Sequence, residues 1–467
     1  MTMNSNITTF LEKIGYKYNS VAQSYIQDCD DWYAHKVTDF HHRKTLTNVQ
    51  YELSSLNFAK RCCGDDANLC EVIEINAGEN QLQYDFVNDV LEDNRFEVMY
   101  RKQLEKMSAL GTVGCYVRLD DADYMSDGSV RNGKIRLNYV DASGIVPLTI
   151  VNDDIVECAF YGKNIVGGKE EHVLVVFTLD ENKNYVADTY IFDKEGKLMK
   201  SEDAAIHFQL GEVKPFAIMR TAEVNNIDDM DGYGYPKLYS AIPVLKALDL
   251  AYNILYSDLD KGEKIVLVNE MLCEFDKDTG KPRLSNEQKK MFMLMSQKLS
   301  GDQVFVKEIN PEIRIDAIDN VFETCLSLLS MTFGYGTKKY TFENHQIQTA
   351  TQYIGERQDA MQELNKQRSE AEAYITDICR AIMWFSNQFH QTSWNVDEDI
   401  CVEFDDSYIT DRQTELETLR ADAISFPQVP EFLIQYVMTR LNCEREEAMK
   451  YIQADTYESE DIDDVED

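Results

Sequence analysis

Proline is scarce in this chain, with eight in 467 residues and none between Thr349 and Gln388. Nothing in that interval forbids a long helix. Cations are scarce as well. Against 83 Asp and Glu stand only 46 Lys and Arg, a formal net charge of −37. This argues against a protein that wraps DNA by neutralising phosphates, which needs clustered Lys and Arg. It fits a chain that repels polyanions or meets basic partners, and it fits plain solubility equally. No run of eighteen apolar residues occurs, so no membrane span is expected. The opening MTMNSNITTF lacks the basic-then-apolar build of a signal peptide.

Chemistry-bearing motifs are missing too. There is no G-x-x-x-x-G-K-[ST] phosphate loop, no H-E-x-x-H zinc pair and no G-x-S-x-G nucleophile elbow. Gly111-Thr112-Val113-Gly114 follows a helix and enters a strand, the wrong order for dinucleotide binding, and reads as a close-packed turn. Eleven cysteines, an odd number scattered along the chain, read as reduced thiols in a cytosol. Cys62, Cys63 and Cys70 cluster without C-x-x-C spacing or a fourth ligand, so no metal is expected. His35, His41 and His42 read as part of a solvated arm. No catalytic constellation and no cofactor follow from the sequence.

What is present begins with 44% hydrophobic and 28% charged residues, globular values in a chain long enough for two to four domains. From about Thr349 to Gln388, Ala350, Ile354, Arg357, Met361, Leu364, Arg368, Ala371, Ile375, Ile378, Ile382 and Phe385 recur in steps of four and three. That is the seam of a helix packing along another helix, roughly 60 Å long. Arg357 and Arg368 interrupt the seam and are expected to be paired, with Glu356 or Glu372 or across a subunit boundary.

The first forty-five residues read as an irregular or helical arm. A helix is expected over LNFAKRCCGDDANL, a strand at Glu71 to Ile75, and one helix from Tyr84 to Gly111. The period then changes to two. Val113–Leu119, Gly133–Val140, Ile145–Val151, Ile155–Tyr161, His172–Leu179, Tyr185–Phe192 and Ile206–Leu210, parted by Gly and Asp turns, predict an antiparallel β domain. Pro236 starts a helix that ends near Gly262. An insert follows, with a strand from Lys264 to Val268, a turn at Asp278–Gly280, a helix capped by Ser285 and a strand from Gln303 to Lys307. A helix from Asp316 to Phe333 and the loop FGYGTKKYTFENHQIQT lead into the long helix. The tail past Glu403 is helical around Pro427 and Pro430, then carries eight acids from Asp455 to Asp467, a composition that predicts disorder.

The wording of several blocks resembles the portal proteins of tailed bacteriophages, especially the siphophage type of Gram-positive hosts. The blocks are IRLNYVDASGIVPLTIVNDDIVECAF from Ile135, GYGYPKLYSAIPVLKALDLAYNILYSDLDKGEKIVLV from Gly232, and SLLSMTFGYGTKKYTFENHQIQTATQYIGERQDAM from Ser327. LNFAKRCCGDDANL resembles the family's first helix, with Asp66 where the family usually carries tryptophan. The likeness spans roughly residues 50 to 410 in consistent order.

This resemblance implies an α+β portal fold: a mixed wing, two stem helices flanking a small α/β clip, a long kinked spine helix and a helical crown. The implied segments are an arm (1–50), wing (51–235), stem helix (236–261), clip (262–315), second stem helix (316–335), tunnel loop (336–348), spine (349–402), and crown with acidic tail (403–467). Phe342, Glu343, Asn344, His345, Gln346, Ile347 and Gln348 would form the loop at the narrowest point of a DNA channel. Lys277, Lys281, Arg283, Lys289 and Lys290 would face the terminase and adaptors. Between Lys261 and Ser300 eight Lys and Arg stand beside six Asp and Glu, a basic exception in an acidic chain.

Implied partners are the chain itself in a ring, usually of twelve, the large terminase subunit, head-completion adaptors, capsid and scaffolding proteins, and double-stranded DNA passing without sequence readout. The implied place is the virion's portal vertex, after assembly in the bacterial cytoplasm. An acidic tunnel suits this, because each Lys–phosphate contact would hold the DNA still. Two competing readings are a coiled-coil scaffold without a channel and a magnesium nuclease using Asp and Glu. Imaging separates rod from ring, and metal-dependent DNA cleavage would reveal a nuclease.

Overall fold

The computed structural model describes residues 3–44, 48–78, 80–124, 130–131, 133–199, 205–262, 265–269, 292–295, 306–309, 314–337, 339–341, 350–404, 412–426, 429–441, 445, 448–450 and 452. They fall into two compact units. One comprises residues 1–70 and 75–402, the other 71–74 and 403–467.

The first unit opens with α1 (Ser5–Lys13), where the Asn4 side chain accepts from the Asn6 N–H at 3.0 Å. α2 (Ser20–Tyr33) is capped by Asn19 in the same way. Of the two readings of the opening segment, irregular or helical, the helical one holds. Met3, Ile7 and Leu11, four apart, form one helical face and share a core with Val146, Leu174, Val176 and Phe192 of the β domain. α3 (Thr38–His41) leads to the short ladder of β1 (His42–Lys44) and β2 (Gln50–Glu52).

α4 (Phe58–Ala67) and β3 (Val72–Asn76) follow. The expected single helix to Gly111 is two, α5 (Gln81–Asp93) and α6 (Phe96–Leu110). Asn94 causes the break. Its side-chain amide donates back to Val90 O at 2.7 Å, and its side-chain oxygen accepts from the Leu137 N–H at 3.0 Å. Arg95 then takes φ +52°. The residues after α6 do make a close-packed turn. Gly111 has φ +81°, and a Cβ there would lie 2.2 Å from the Gly234 carbonyl oxygen.

The β domain is antiparallel. Its strands are β4 (Thr112–Asp120), the short pair β5 (Asp123–Tyr124) and β6 (Val130–Arg131), β7 (Lys134–Asp141), β8 (Ile145–Val151), β9 (Asp154–Val166), β10 (Lys169–Leu179), β11 (Tyr185–Asp193), β12 (Ala205–Gln209) and β13 (Phe216–Arg220). One sheet runs β12-β11-β10-β9-β8 and another β13-β4-β7. β13 escapes a period-two reading because Phe216, Ala217 and Met219 are all buried, so alternation vanishes.

α7 (Lys237–Lys261) starts after Pro236 and ends at Gly262, as the turn residues predict. In the insert, β14 (Ile265–Asn269) pairs parallel with β15 (Phe292–Met295) and antiparallel with β16 (Val306–Ile309). The turn at 278–280 and the start of the helix expected from Ser285 lie outside the described residues. Phe292–Met295 is strand, and the strand expected at Gln303–Lys307 is described at Val306–Ile309.

α8 (Ile315–Thr332) precedes α9 (Ala350–Phe389), one helix of 40 residues. Its seam residues Leu364, Ala371, Ile375, Ile378, Ile382 and Phe385 are buried, with Tyr374, Cys379 and Met383 widening the face. That face rests mainly on β13 and β4 rather than along a partner helix. A four–three spacing specifies an apolar stripe but not what covers it. In the second unit α10 (Arg412–Ser425) packs on α11 (Pro430–Leu441), with the Phe426 and Phe432 rings 6.0 Å apart. The acidic stretch from Asp455 lies outside the described residues.

Candidate functional site

α7 and α8 pack against each other; Leu238, Ala241, Leu245, Leu248 and Ala251 are buried on α7, and Ile318, Phe322, Leu326 and Leu329 on α8. Where the insert leaves them, Arg314 grips Asp258 through Nε and Nη2 at 2.9 and 2.8 Å. The opposite faces are also apolar. On α8, Ala317, Val321, Thr324, Leu328 and Met331 are exposed or half-exposed at steps of four and three. On α7, Ile254, Tyr256 and Leu259 are exposed. This two-sided character makes α7, at a mean hydropathy of 1.2, long and apolar enough to cross a membrane by length and composition. It nevertheless carries Lys237 and Asp249, each 3% exposed and bonded to side chains of other elements.

Asp249 faces inward beside Leu245 and Leu248. Its Oδ2 meets His41 Nε2 at 2.9 Å, and its Oδ1 accepts from the Leu56 N–H at 2.9 Å. His41 Nδ1 lies 2.8 Å from Val37 O. His41 is therefore buried, contrary to the solvated-arm reading. A local sequence shows no trace of a partner about two hundred residues away. The acid itself was visible as a charge on an apolar helical face.

At the N-terminus of α7, Lys237 Nζ donates to Asp66 Oδ1 at 3.2 Å, and the side chains are 3% and 6% exposed. Tyr335 donates its hydroxyl to the same Asp66 oxygen at 3.3 Å. One turn of α9 closes the junction. Gln367 accepts from the Ala222 N–H at 3.0 Å and donates to Arg220 O at 3.1 Å. Nearby, a polar cleft of about 330 Å³ is lined by Asp153, Arg220, Glu223, Asp231 and Glu370 among others. Arg220 pairs with Asp153 at 3.0 Å. Burial pushes the Glu370 carboxyl up, only partly offset by Arg220.

The cysteine cluster is closed to chemistry. Burial pushes Cys62 and Cys70 up to about 12 and Cys63 well above its ordinary value, so none is a thiolate at neutral pH. Among the described residues no group of His, Cys, Asp or Glu is arranged to hold a metal ion.

Of the residues singled out by sequence, Phe342 to Gln348 lie outside the described residues, as do Lys277, Lys281, Arg283, Lys289 and Lys290. Arg357 sits in α9, its side chain also outside the description. Arg368 is half-buried, and its charge reaches Tyr100 and Cys70. Sequence reasoning missed Asp66, Lys237, Asp249 and Gln367 as junction residues.

A β domain, a helix pair interrupted by a small insert, and a long helix bonded through Gln367 to Arg220 and Ala222 form a structural subunit. The chain belongs to the family described as "Phage portal protein, SPP1 Gp6-like", whose family model matches residues 19–426. It is a phage portal protein. Such proteins are structural parts of the virion neck, multi-subunit rings with capsid and tail partners. A solved structure titled "Neck of native GTA particle computed with C12 symmetry" is similar over 78% of this chain and 84% of its own, at 10% identity and a TM-score of 0.37. No curated protein matches.

Proposed function

We propose that the chain forms a closed ring, of twelve subunits as is usual in the family, through which double-stranded DNA is packaged by the terminase and later leaves toward the tail. The observation that carries this reading is the exposed apolar stripe of α8 beside the exposed apolar residues of α7. A helix pair with two different apolar flanks makes a heterologous contact, and such contacts form a ring when the rotation between neighbours closes. In this reading α7 and α8 are the stem, residues 262–315 the clip, residues 51–235 the wing, α9 the spine and residues 403–467 the crown. Lys277, Lys281, Arg283, Lys289 and Lys290 face the terminase large subunit and later the head-completion adaptors. Capsid and scaffolding proteins surround the ring.

Phe342, Glu343, Asn344, His345, Gln346, Ile347 and Gln348 line the constriction as a passive gate that does not read sequence. Arg357 and Arg368 serve the seam between subunits. Assembly takes place in the host cytoplasm, and the ring catalyses no reaction. Family membership favours this over a channel-free scaffold.

Light scattering on the purified chain, followed by electron micrographs down the ring axis, tests the proposal. A closed ring with a central hole is expected. A chain that stays monomeric or dimeric at micromolar concentration in every salt tried, with scaffold protein added, overturns it.

A further inference from the structure

Nine residues join the end of α8 to the segment proposed to line the constriction, and several of those described are bonded to the rest of the protein. α8 ends in a Schellman turn. Gly334 takes φ +77°, its N–H reaches Met331 O at 3.0 Å, and the Tyr335 N–H reaches Ser330 O at 2.9 Å. Beyond the turn the bonds come from side chains. The Tyr340 N–H donates to Ser330 Oγ at 3.0 Å, and Thr341 Oγ1 donates to Glu323 Oε2 at 3.2 Å. Two tyrosines then reach across to α4. Tyr335 donates to Asp66 Oδ1 at 3.3 Å, and Tyr340 donates to Asp65 Oδ2 at 3.2 Å.

The carboxylates are adjacent in sequence, and each is held by a cation of its own. Arg61 Nε lies 3.0 Å from Asp65 and Lys237 Nζ lies 3.2 Å from Asp66. The tyrosine rings meet edge to face at 6.3 Å, with the Lys339 ammonium 5.4 Å from the Tyr335 ring centre. Burial, then Cys62 and Asp65, push the Tyr340 phenol well up, so it stays a donor. A helix end is ordinarily finished by its own turn. Here a second element clamps the exit at two points.

We propose that Asp65 and Asp66 are positioning residues that fix the chain where it leaves α8, so that the segment beyond Thr341 starts from one place in every subunit. The proposal rests on the reading of Phe342 to Gln348 as the constriction loop. Both carboxylates arrive from one helix, so a shift of α4 moves both anchors together. The clamp thereby couples α4, and the helices α6 and α7 that pack on it, to the segment proposed as the channel lining. A ring needs this, because identical loops surround the DNA evenly only if their roots are placed alike.

The test replaces Tyr335→Phe and Tyr340→Phe together. This removes two hydroxyls but leaves the Lys237–Asp66 and Arg61–Asp65 pairs in place. Hydrogen exchange in assembled rings is followed over residues 333–341 and over α8, and DNA retention is measured in particles carrying the variant. Loss of two hydrogen bonds should speed exchange over 333–341 by roughly tenfold or more while α8 is unchanged. Rings should still form, and packaged DNA should leak. Unchanged exchange over 333–341 overturns the clamp. Faster exchange with full DNA retention instead overturns the constriction reading, and with it the positioning role. If the double variant fails to assemble, Tyr340→Phe alone, which leaves Asp66 untouched, is read by the same two measurements.

Discussion

Replacing Lys237 by methionine keeps the length of the side chain and removes its charge. The pair it breaks is buried, with side chains 3% and 6% exposed and 3.2 Å between Lys237 Nζ and Asp66 Oδ1. Desolvating both charges costs about as much as their attraction returns, so the intact pair contributes little net stability. A single replacement is different, because it takes from the remaining buried side chain the opposite charge that it meets at 3.2 Å. Lys237→Met should therefore destabilise the subunit by about 3–5 kcal/mol, and Asp66→Leu by a similar amount. The double variant should return to within about 1 kcal/mol of the parent, a coupling of roughly 3 kcal/mol or more. Urea unfolding followed by the fluorescence of Trp32, Trp384 and Trp394, at one protein concentration, gives all four midpoints. Single variants costing under about 1 kcal/mol, or a double variant as damaged as the sum of the two, would refute the buried-pair reasoning.

Gly111→Ala combines a left-handed backbone with a Cβ placed 2.2 Å from the Gly234 oxygen and should cost about 3 kcal/mol or more in thermal unfolding. Val321→Asp with Leu328→Asp puts charge on the exposed stripe of α8; subunit stability should change by about 0.5 kcal/mol or less, while ring yield in light scattering collapses. Burial pushes the Glu105 carboxyl up, but Lys60 and Tyr33 bond it and pull harder, leaving it below its ordinary value of 4.5. Its contribution is therefore complete above that pH and lost as pH falls through the lowered value, so Glu105→Gln should flatten the acid limb of a stability profile. Glu343→Lys adds one cation per subunit, and the ring should bind DNA more tightly with a steeper salt dependence in a filter-binding series.

Elements with a clean period were legible in the sequence. α7, bounded by Pro236 and Gly262, and α9, with its four–three seam, fall within a residue or two of the reading at each end. All seven expected β runs sit inside described strands or overrun them by one residue. What escaped depends on distant partners. The break at Asn94 exists because a strand forty residues on donates to its side chain. β13 packs on the long helix while its Phe216 ring meets Phe160 and Phe177 of the other sheet, which erases alternation. The polar junction was least legible, since His41 and Asp249, or Asp66 and Tyr335, are ordinary residues until the fold brings them together. The family resemblance came from blocks of wording, all of which lie within the matched residues 19–426.

The seat of α1 has a consequence for synthesis. Met3, Ile7 and Leu11 lie against residues that reach as far along the chain as Phe192. α1 therefore cannot complete its docking until roughly 180 more residues have left the ribosome, about ten to forty seconds at 5–20 residues per second. For that interval a short amphipathic helix, too brief to be stable alone, presents its apolar face to solvent. A nascent chain of this build is a natural client for ribosome-associated chaperones. Slowing elongation between the codons for Leu11 and Phe192 should lower the soluble yield more than slowing it after Phe192.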